Sequence, residues 1–306
     1  MAILRQLIIM THPLLRLATL AILLSAVACE RPLQLDWETT EGRPVLLGII
    51  EPGAPLELRL VRSIHPLDTL GFPPLDGAEV RLFHAGTETT LQPLGEGFYV
   101  TPPAWQAEAG VAYRCEVLTA QGETLTVQEV VVPAKPIIDP WQYEADGYQS
   151  SRSSTLQDLL TLALSPPHDS VAYYALEVVG IQATGESASI SAFRVGGNES
   201  LDAACGFGGK LVSSQCNPGE PLTPQWAFSP EYRVENDSTP GWTNLTYDSV
   251  LVVVSSLSAG LYRYETSLLS DELSSVFFYT DSVYSNVQGG EGILGAKNTQ
   301  VLRIAR

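Results

Sequence analysis

Basic residues are scarce in this sequence. The 306 residues include 17 lysines and arginines against 34 aspartates and glutamates, which gives a formal net charge of −17. A chain this acidic has no general electrostatic attraction for nucleic acid or for an anionic lipid surface. We therefore expect no nucleic-acid partner, and the simplest role of the acidity is to keep the protein in solution.

Side chains that bind metals or act as nucleophiles are also few. The chain has four cysteines and four histidines, and His65, His84 and His168 are scattered along it. A zinc site needs several ligands close together. The sequence contains no His-Glu-x-x-His, no Gly-x-Ser-x-Gly and no phosphate-binding loop. We predict no metal, no cofactor and no catalytic residue, and hence a protein that is not an enzyme.

Beyond the N-terminal region the chain lacks a long apolar run. The most apolar later stretch, residues 249–257, has nine residues and suits a strand. Residues 1–28 instead carry two arginines, no acidic residue, a short apolar core over 17–24 and small residues before Cys29. This pattern is typical of a secretory signal peptide.

The end of that segment, Ala-Val-Ala-Cys at residues 26–29, resembles a bacterial lipobox, with Ala26 where leucine is usual. We predict cleavage after Ala28, lipidation of Cys29 and a tether over residues 29–43. A diacylglyceryl group would give stable membrane anchoring, because it carries two acyl chains. The alternative is an ordinary Ala-x-Ala cleavage site that leaves Cys29 as a chance thiol. The processed chain would carry 15 basic and 34 acidic residues, a net charge of −19 (15 − 34).

The other cysteines differ in their surroundings. Cys205 and Cys216 flank a loop rich in glycine and serine, and in an oxidising envelope they predict a disulfide. Cys115 lies in a run whose alternate residues are apolar, which predicts a buried free thiol rather than a nucleophile.

Strand patterns predict a mainly β fold. Residues 44–135 read as about seven short strands separated by turn residues, which predicts an immunoglobulin-like antiparallel β-sandwich. Residues 136–306 predict a second antiparallel β-rich domain. It has a long, mostly irregular, disulfide-bearing insertion over 196–244 and one amphipathic helix over 258–273, with Ser258 as the N-cap.

The order of these segments resembles the family of Bacteroidota lipoproteins described as domain of unknown function 4249. The segments that carry the resemblance span nearly the whole chain after residue 44: residues 45–50, 58–63, 73–80, 97–99, 110–113, 261–264, 284–287 and 292–296. Leu294 stands where the family usually has phenylalanine. The resemblance implies an envelope lipoprotein, encoded beside TonB-dependent outer-membrane receptors in many cases, and it supplies no catalytic residues.

Two motifs have competing interpretations. Gly290, Gly292 and Gly295 match the dinucleotide-binding fingerprint, but only eleven residues follow them, too few for the helix and acidic residue that the mechanism needs. We predict that these glycines serve a tight turn and close packing. Five Asp-Ser or Asp-Thr sites resemble the O-glycosylation sequon of Bacteroidota envelope proteins, or else cap turns; their hydroxyl residues are Thr69, Ser170, Ser238, Ser249 and Ser282.

Aromatic residues in the 196–244 insertion suggest a contact surface. Trp226, Phe228, Tyr232 and Trp242 are candidates for binding a partner or stacking on sugar rings, or they form a small core beneath a loop. We expect a non-enzymatic binding or accessory lipoprotein on the outer membrane, beside a TonB-dependent transporter or another envelope protein. The alternatives are a protein that binds or degrades polysaccharide and a purely structural envelope component.

Overall fold

Strands make up most of the computed structural model, which describes residues 42–64, 71–150, 155–167, 170–196, 210–215, 219–235, 242–274 and 283–306. At residues 232–235, 242–244 and 270–274 it describes the backbone alone. Residues from Gly42 onward form one compact unit. Within the described ranges, no helix has the length and apolarity that crossing a membrane requires.

In the described chain, eight strands precede residue 133. They are β1 (Pro44–Ile50), β2 (Glu57–Arg62), β3 (Glu79–His84), β4 (Thr87–Thr90), β5 (Gln92–Gly95), β6 (Phe98–Val100), β7 (Ala112–Leu118) and β8 (Thr124–Val131). The rest of the described chain contains β9 (Ile138–Gln149), β10 (Leu156–Leu164), β11 (Tyr173–Ile181), β12 (Ser187–Ile190), β13 (Ala192–Gly196), β14 (Leu211–Ser213), β15 (Gln225–Phe228), β16 (Glu231–Glu235), β17 (Trp242–Thr246), β18 (Ser249–Leu257), α1 (Ala259–Ser274), β19 (Val287–Gln288) and β20 (Glu291–Ala305).

The strands form where apolar residues alternate with polar ones. In β7, Tyr113, Cys115 and Val117 are buried, and the residues between them are not. A strand places successive side chains on opposite faces, so this alternation buries one face only. Gly122, at a φ of 85°, then turns the chain into the antiparallel partner β8.

One long sheet runs through the whole unit, in the order β12-β11-β18-β20-β1-β2-β6-β5, with β14 also paired to β11. Its central strand β20 has 15 residues. The first part of β20 pairs in parallel with β1, and the part from Lys297 onward pairs antiparallel with β18. The parallel pairing departs from the wholly antiparallel prediction. It is available because the two strands are far apart in sequence, whereas a short hairpin joins only antiparallel strands.

Two other sheets cover the two ends of this long sheet. The sheet β19-β8-β7-β3-β4 encloses a first core that includes Leu46, Leu60 and Tyr113. The sheet β13-β15-β10-β9 accompanies a second core that includes Leu162, Val252 and Trp226. Strand β20 contributes Leu294 to the first core and Ile304 to the second. The predicted mainly β, sandwich-like fold is therefore confirmed, and the two cores share one sheet.

The single helix of the described chain is also confirmed, one residue from its predicted bounds. Ser258 caps it as predicted: its carbonyl accepts the Tyr262 N–H at 3.0 Å, and its hydroxyl accepts the Leu261 N–H at 3.4 Å. Leu268 is 38% exposed, so it does not belong to the buried face of this amphipathic helix. Leu261 and Leu269 instead pack with Leu211 and Leu257, because the helix lies against β20 and β11.

The prediction of a mostly irregular 196–244 insertion is wrong for its described residues. Strand β14 pairs with β11, β15 lies between β13 and β10, and β16 forms a hairpin with β17. The error has a physical reason: these strands have three to five residues each, too short to show a clear period of two in the sequence.

A buried carboxylate joins β9, β10 and the last residue of the chain. Asp158 is fully buried, and it accepts hydrogen bonds from the Tyr143 hydroxyl, the Asp146 N–H at 3.0 Å and both Nε and Nη2 of Arg306, at 3.0 and 3.2 Å. Burial and the bond to Asp158 raise the pKa of Tyr143, so this hydroxyl remains a donor. The network satisfies a charge that would otherwise be costly to bury.

Candidate binding groove

A groove of about 1030 Å³ lies where the two cores meet. One wall is the end of β8 and the segment that leaves it, residues 127–137; another is the approach to β11, residues 165–167 and 170–174. The end of β18, the first turn of α1 and the residues before β19 complete it. A volume of this size is at the upper end of the range for small-ligand sites, about 300–1,000 Å³.

Prolines build these walls. Pro133 and Pro136 follow β8, and Pro166 and Pro167 precede β11. Proline has no amide hydrogen and a fixed φ, so neither segment continues the adjacent sheet. Two hydrogen bonds hold the wall in place: the Asn298 side chain donates to the Pro133 carbonyl at 3.0 Å, and the Ser165 N–H donates to the Ile137 carbonyl at 3.3 Å.

Exposed apolar side chains line the groove. Ile137 is 63% exposed, Val131 46% and Val171 39%. Single exposed apolar residues are normal on a protein surface, but several gathered in one concave site are typical of a binding surface. The aromatic rings of Tyr173 and Tyr284 add to the lining.

The charges of the groove differ from those of the chain. Lys135 and Arg263 line it, and among the described lining residues Glu129 is the one that is acidic. Arg263 lies over the Tyr284 ring at 5.9 Å. Among the described residues, neither Lys135 nor Arg263 has a carboxylate partner, whereas most of the other basic side chains are in ion pairs: Arg43, Arg62, Arg81, Arg114, Lys210, Lys297 and Arg306. In so acidic a protein, the groove therefore offers free positive charge.

The sequence profile described as "Domain of unknown function (DUF4249)" matches residues 30–303. The chain belongs to the DUF4249 family. No curated protein matches it. One similar solved structure is the crystal structure of a DUF4785 family protein from Legionella pneumophila subsp. pneumophila str. Philadelphia 1, at 13% identity and a TM-score of 0.21. The match covers 70% of this chain and 52% of that one, so the chain spans about half of that protein's length. At this TM-score the likeness supports no conclusion.

The predicted aromatic contact surface of this DUF4249 protein is wrong for two of its residues. Trp226 and Phe228 are 1% and 0% exposed, and both belong to the second core. Strand β15 carries them inward between β10 and β13, so the alternative of a packed core holds. The side chains of Tyr232 and Trp242 lie outside those that the structure describes.

The five hydroxyl sites have different outcomes. Ser249 is 6% exposed at the start of the central strand β18, so its hydroxyl is not accessible to a glycosyltransferase in the folded DUF4249 protein, and this prediction is wrong. Ser170 is exposed, and its glycosylation stays a prediction. Thr69, Ser238 and Ser282 lie outside the described residues.

Three of the four cysteines, Cys29, Cys205 and Cys216, also lie outside the described residues, so lipidation and the disulfide stay predictions. Cys115 is the buried free thiol that the alternation predicted. Within the described ranges, no group of three or more histidine, cysteine, aspartate or glutamate side chains is placed to hold a metal ion.

The state of Cys115 leads to a first prediction. Burial, with a smaller effect of the Glu116 charge, raises the pKa of the Cys115 thiol to about 12. Only the thiolate is nucleophilic. We expect no alkylation of Cys115 by iodoacetamide at pH 8.5 in the folded protein and rapid alkylation in urea, as read by peptide mass spectrometry. Labelling of the native protein at the rate found in urea would contradict the burial.

Proposed function

We propose that this DUF4249 protein is a non-enzymatic lipoprotein of the Bacteroidota cell envelope. In this proposal it acts as a binding or accessory subunit beside a TonB-dependent outer-membrane transporter, anchored through Cys29. The observation that carries the proposal is the groove between the two cores, with its exposed apolar residues and the positive charges of Lys135 and Arg263. The predicted signal peptide and the lipobox-like pattern of residues 26–29 support the envelope location.

Anchoring predicts a clear difference between cysteine variants. In cells fed radiolabelled palmitate, we expect label in the wild-type chain and none in Cys29→Ala, because only Cys29 follows the predicted cleavage site. Cys115→Ala is the control and should keep its label. A labelled Cys29→Ala variant, or an unprocessed wild-type chain in the cytosol, would rule out this anchor.

The accessory role predicts a partner that depends on the groove. After crosslinking and detergent extraction, we expect the wild-type chain to co-purify with a TonB-dependent transporter and the Ile137→Asp variant to lose it. The reason is that a charge at the most exposed apolar position of the groove opposes burial against a partner. Val301→Asp is the matched control: Val301 is 51% exposed on β20 and lies outside the groove.

Two results would count against the accessory role. If the wild-type chain is recovered without a transporter, or if Ile137→Asp and Val301→Asp bind it equally well, the proposal fails. Groove-dependent binding on a glycan array would support the polysaccharide alternative instead. The burial of Trp226 and Phe228 has already removed two of the four aromatic side chains on which that alternative depended.

A further inference from the structure

The groove contains an unpaired strand edge. In its sheet, β8 lies between β7 and β19, but β19 pairs only with Thr126 and Val127. Residues 128–131 of β8 therefore have no neighbouring strand on that side among the described residues, and all four line the groove. An unpaired strand edge presents N–H and C=O groups that can pair with another extended chain.

The chain before β19 explains why this edge stays open. Asn286 would lie opposite Gln128 if the pairing continued, but its side chain is bonded to β20. Its carbonyl oxygen accepts the Leu294 N–H at 3.1 Å, and its amide group donates to the Leu294 carbonyl at 2.9 Å. These two bonds hold the chain toward β20, so that no described residue occupies the strand position beside β8.

The available backbone groups can be assigned from the alternation. Val132 uses its N–H and its carbonyl in bonds to Val111 and Gly110, at 3.0 and 2.8 Å. In an antiparallel ladder, successive residues direct these groups to opposite sides. Val131 thus presents its N–H and C=O to the vacant side, beside the exposed side chains of Ile137 and Val171 that also line the groove.

We infer that the groove receives an extended peptide segment of a partner protein. The segment adds a strand to β8 at Val131, packs apolar side chains against Ile137 and Val171, and carries an acidic residue that interacts with Lys135 and Arg263. Strand addition of this kind takes affinity from main-chain bonds and specificity from side-chain pockets. The inference rests on the proposed function, because it names the chemistry of the partner segment at the same groove.

Other occupants fit less well. A polysaccharide needs many hydrogen-bonding side chains, whereas valine, proline and isoleucine dominate the wall over residues 127–137. A second copy of this chain carries the same net charge of −17, so repulsion between like charges opposes its pairing at this edge. An acidic, apolar peptide meets both the apolar wall and the positive charges of Lys135 and Arg263.

The test uses the full-length chain purified in detergent and a phage-displayed library of random peptides about twelve residues long. We expect enrichment of peptides that alternate apolar residues and contain aspartate or glutamate. One enriched peptide, made with a fluorophore, then gives dissociation constants by anisotropy. Enrichment of basic peptides, or of peptides that the Ile137→Asp variant binds equally well, would overturn the inference.

Two variants of one residue separate main-chain pairing from side-chain contact. Val131→Pro removes the N–H that faces the vacant side and is expected to raise the dissociation constant of the peptide about tenfold or more. Val131→Thr keeps that N–H and should bind within about threefold of the wild type. Arg263→Gln should raise the dissociation constant of an acidic peptide about two- to fivefold, with a smaller increase at high salt. Equal binding by the two Val131 variants would exclude strand addition.

A change in the peptide tests the same pairing should Val131→Pro fail to fold. N-methylation at alternate peptide residues is expected to abolish binding in one of the two registers and to spare it in the other, because only every second amide faces β8. Equal effects in both registers would overturn the inference. The proposed function fails separately: the peptide would still bind the groove while no transporter co-purified with the wild-type chain.

Discussion

The Asp158→Asn variant is expected to lower the free energy of unfolding by about 3–5 kcal/mol, as measured by urea denaturation. Asp158 is fully buried, and it accepts bonds from Tyr143, from the Asp146 N–H and twice from Arg306. An asparagine keeps one acceptor oxygen, but it sets an amide N–H₂ group against donors and leaves the partly buried Arg306 guanidinium without its main counter-charge.

The matched control is Asp146→Asn, the same chemical change at the other carboxylate that Arg306 contacts. The Asp146 side chain is 55% exposed and lies 3.3 Å from Arg306. Exposed ion pairs contribute about 0–1 kcal/mol, and asparagine tolerates the φ of 55° found at Asp146. Equal losses of unfolding free energy in the two variants would show that the contribution of Asp158 to stability does not depend on its burial.

Asp158 also shows what sequence patterns can and cannot reveal. Leu160, Leu162 and Leu164 alternate along β10 and face the second core, and Asp158 occupies the preceding position of the same face. An acidic residue in register with three core leucines was a signal of a buried charge. Its partner Arg306 lies 148 residues away, and no local pattern links the two residues.

The fold was predictable where the signal was local. Three features each depend on residues that are close together in the sequence: the strand alternation in β7, the glycine turn to β8 and the Ser258 cap. The single long sheet was not predictable in this way, because it depends on the pairing of β20 with β1 and β18 across most of the chain.

The groove is not predictable from the sequence for the same reason. Its walls come from residues 127–137, 165–167, 170–174, 256–260, 263, 284 and 286, and none of these segments is unusual alone. The tryptophans of the 196–244 insertion give a stronger local signal, because large aromatic residues suggest contact surfaces. Strand β15 carries Trp226 and pairs with β10, which places this side chain in the second core. Tertiary packing therefore determines its role.

The shared sheet has a consequence for the groove. Asn298 of β20 bonds the Pro133 carbonyl, and Asn286 bonds Leu294 of the same strand. Two walls of the groove are thus fixed to the strand that contributes to both cores. A rigidly held groove loses less conformational entropy on binding than a flexible one, which favours affinity for an extended segment.

A substitution that distorts β20 should therefore destabilise the whole fold. Gly292→Ala is expected to lower the free energy of unfolding by about 2–5 kcal/mol. Gly292, in the motif that matches a dinucleotide fingerprint, has a φ of 105°, and an added Cβ would lie 2.1 Å from the Leu46 carbonyl oxygen of β1. Gly290 is as crowded, against Leu125 and Pro44, so the predicted turn and packing roles are confirmed.

Gly53→Ala separates the two costs at Gly292. Gly53 has a φ of 80°, and a Cβ added there would meet nothing within 4 Å, so this variant should lose only the backbone-strain contribution of about 1–2 kcal/mol. Any further loss in Gly292→Ala measures the displacement of β1 from β20. Because that pairing joins the first core to the strand that runs on into the second, we expect a single cooperative unfolding transition to split or broaden in Gly292→Ala but not in Gly53→Ala. Equal free-energy losses in the two variants would mean that β1 moves aside at no cost, and that the parallel pairing does not couple the two cores.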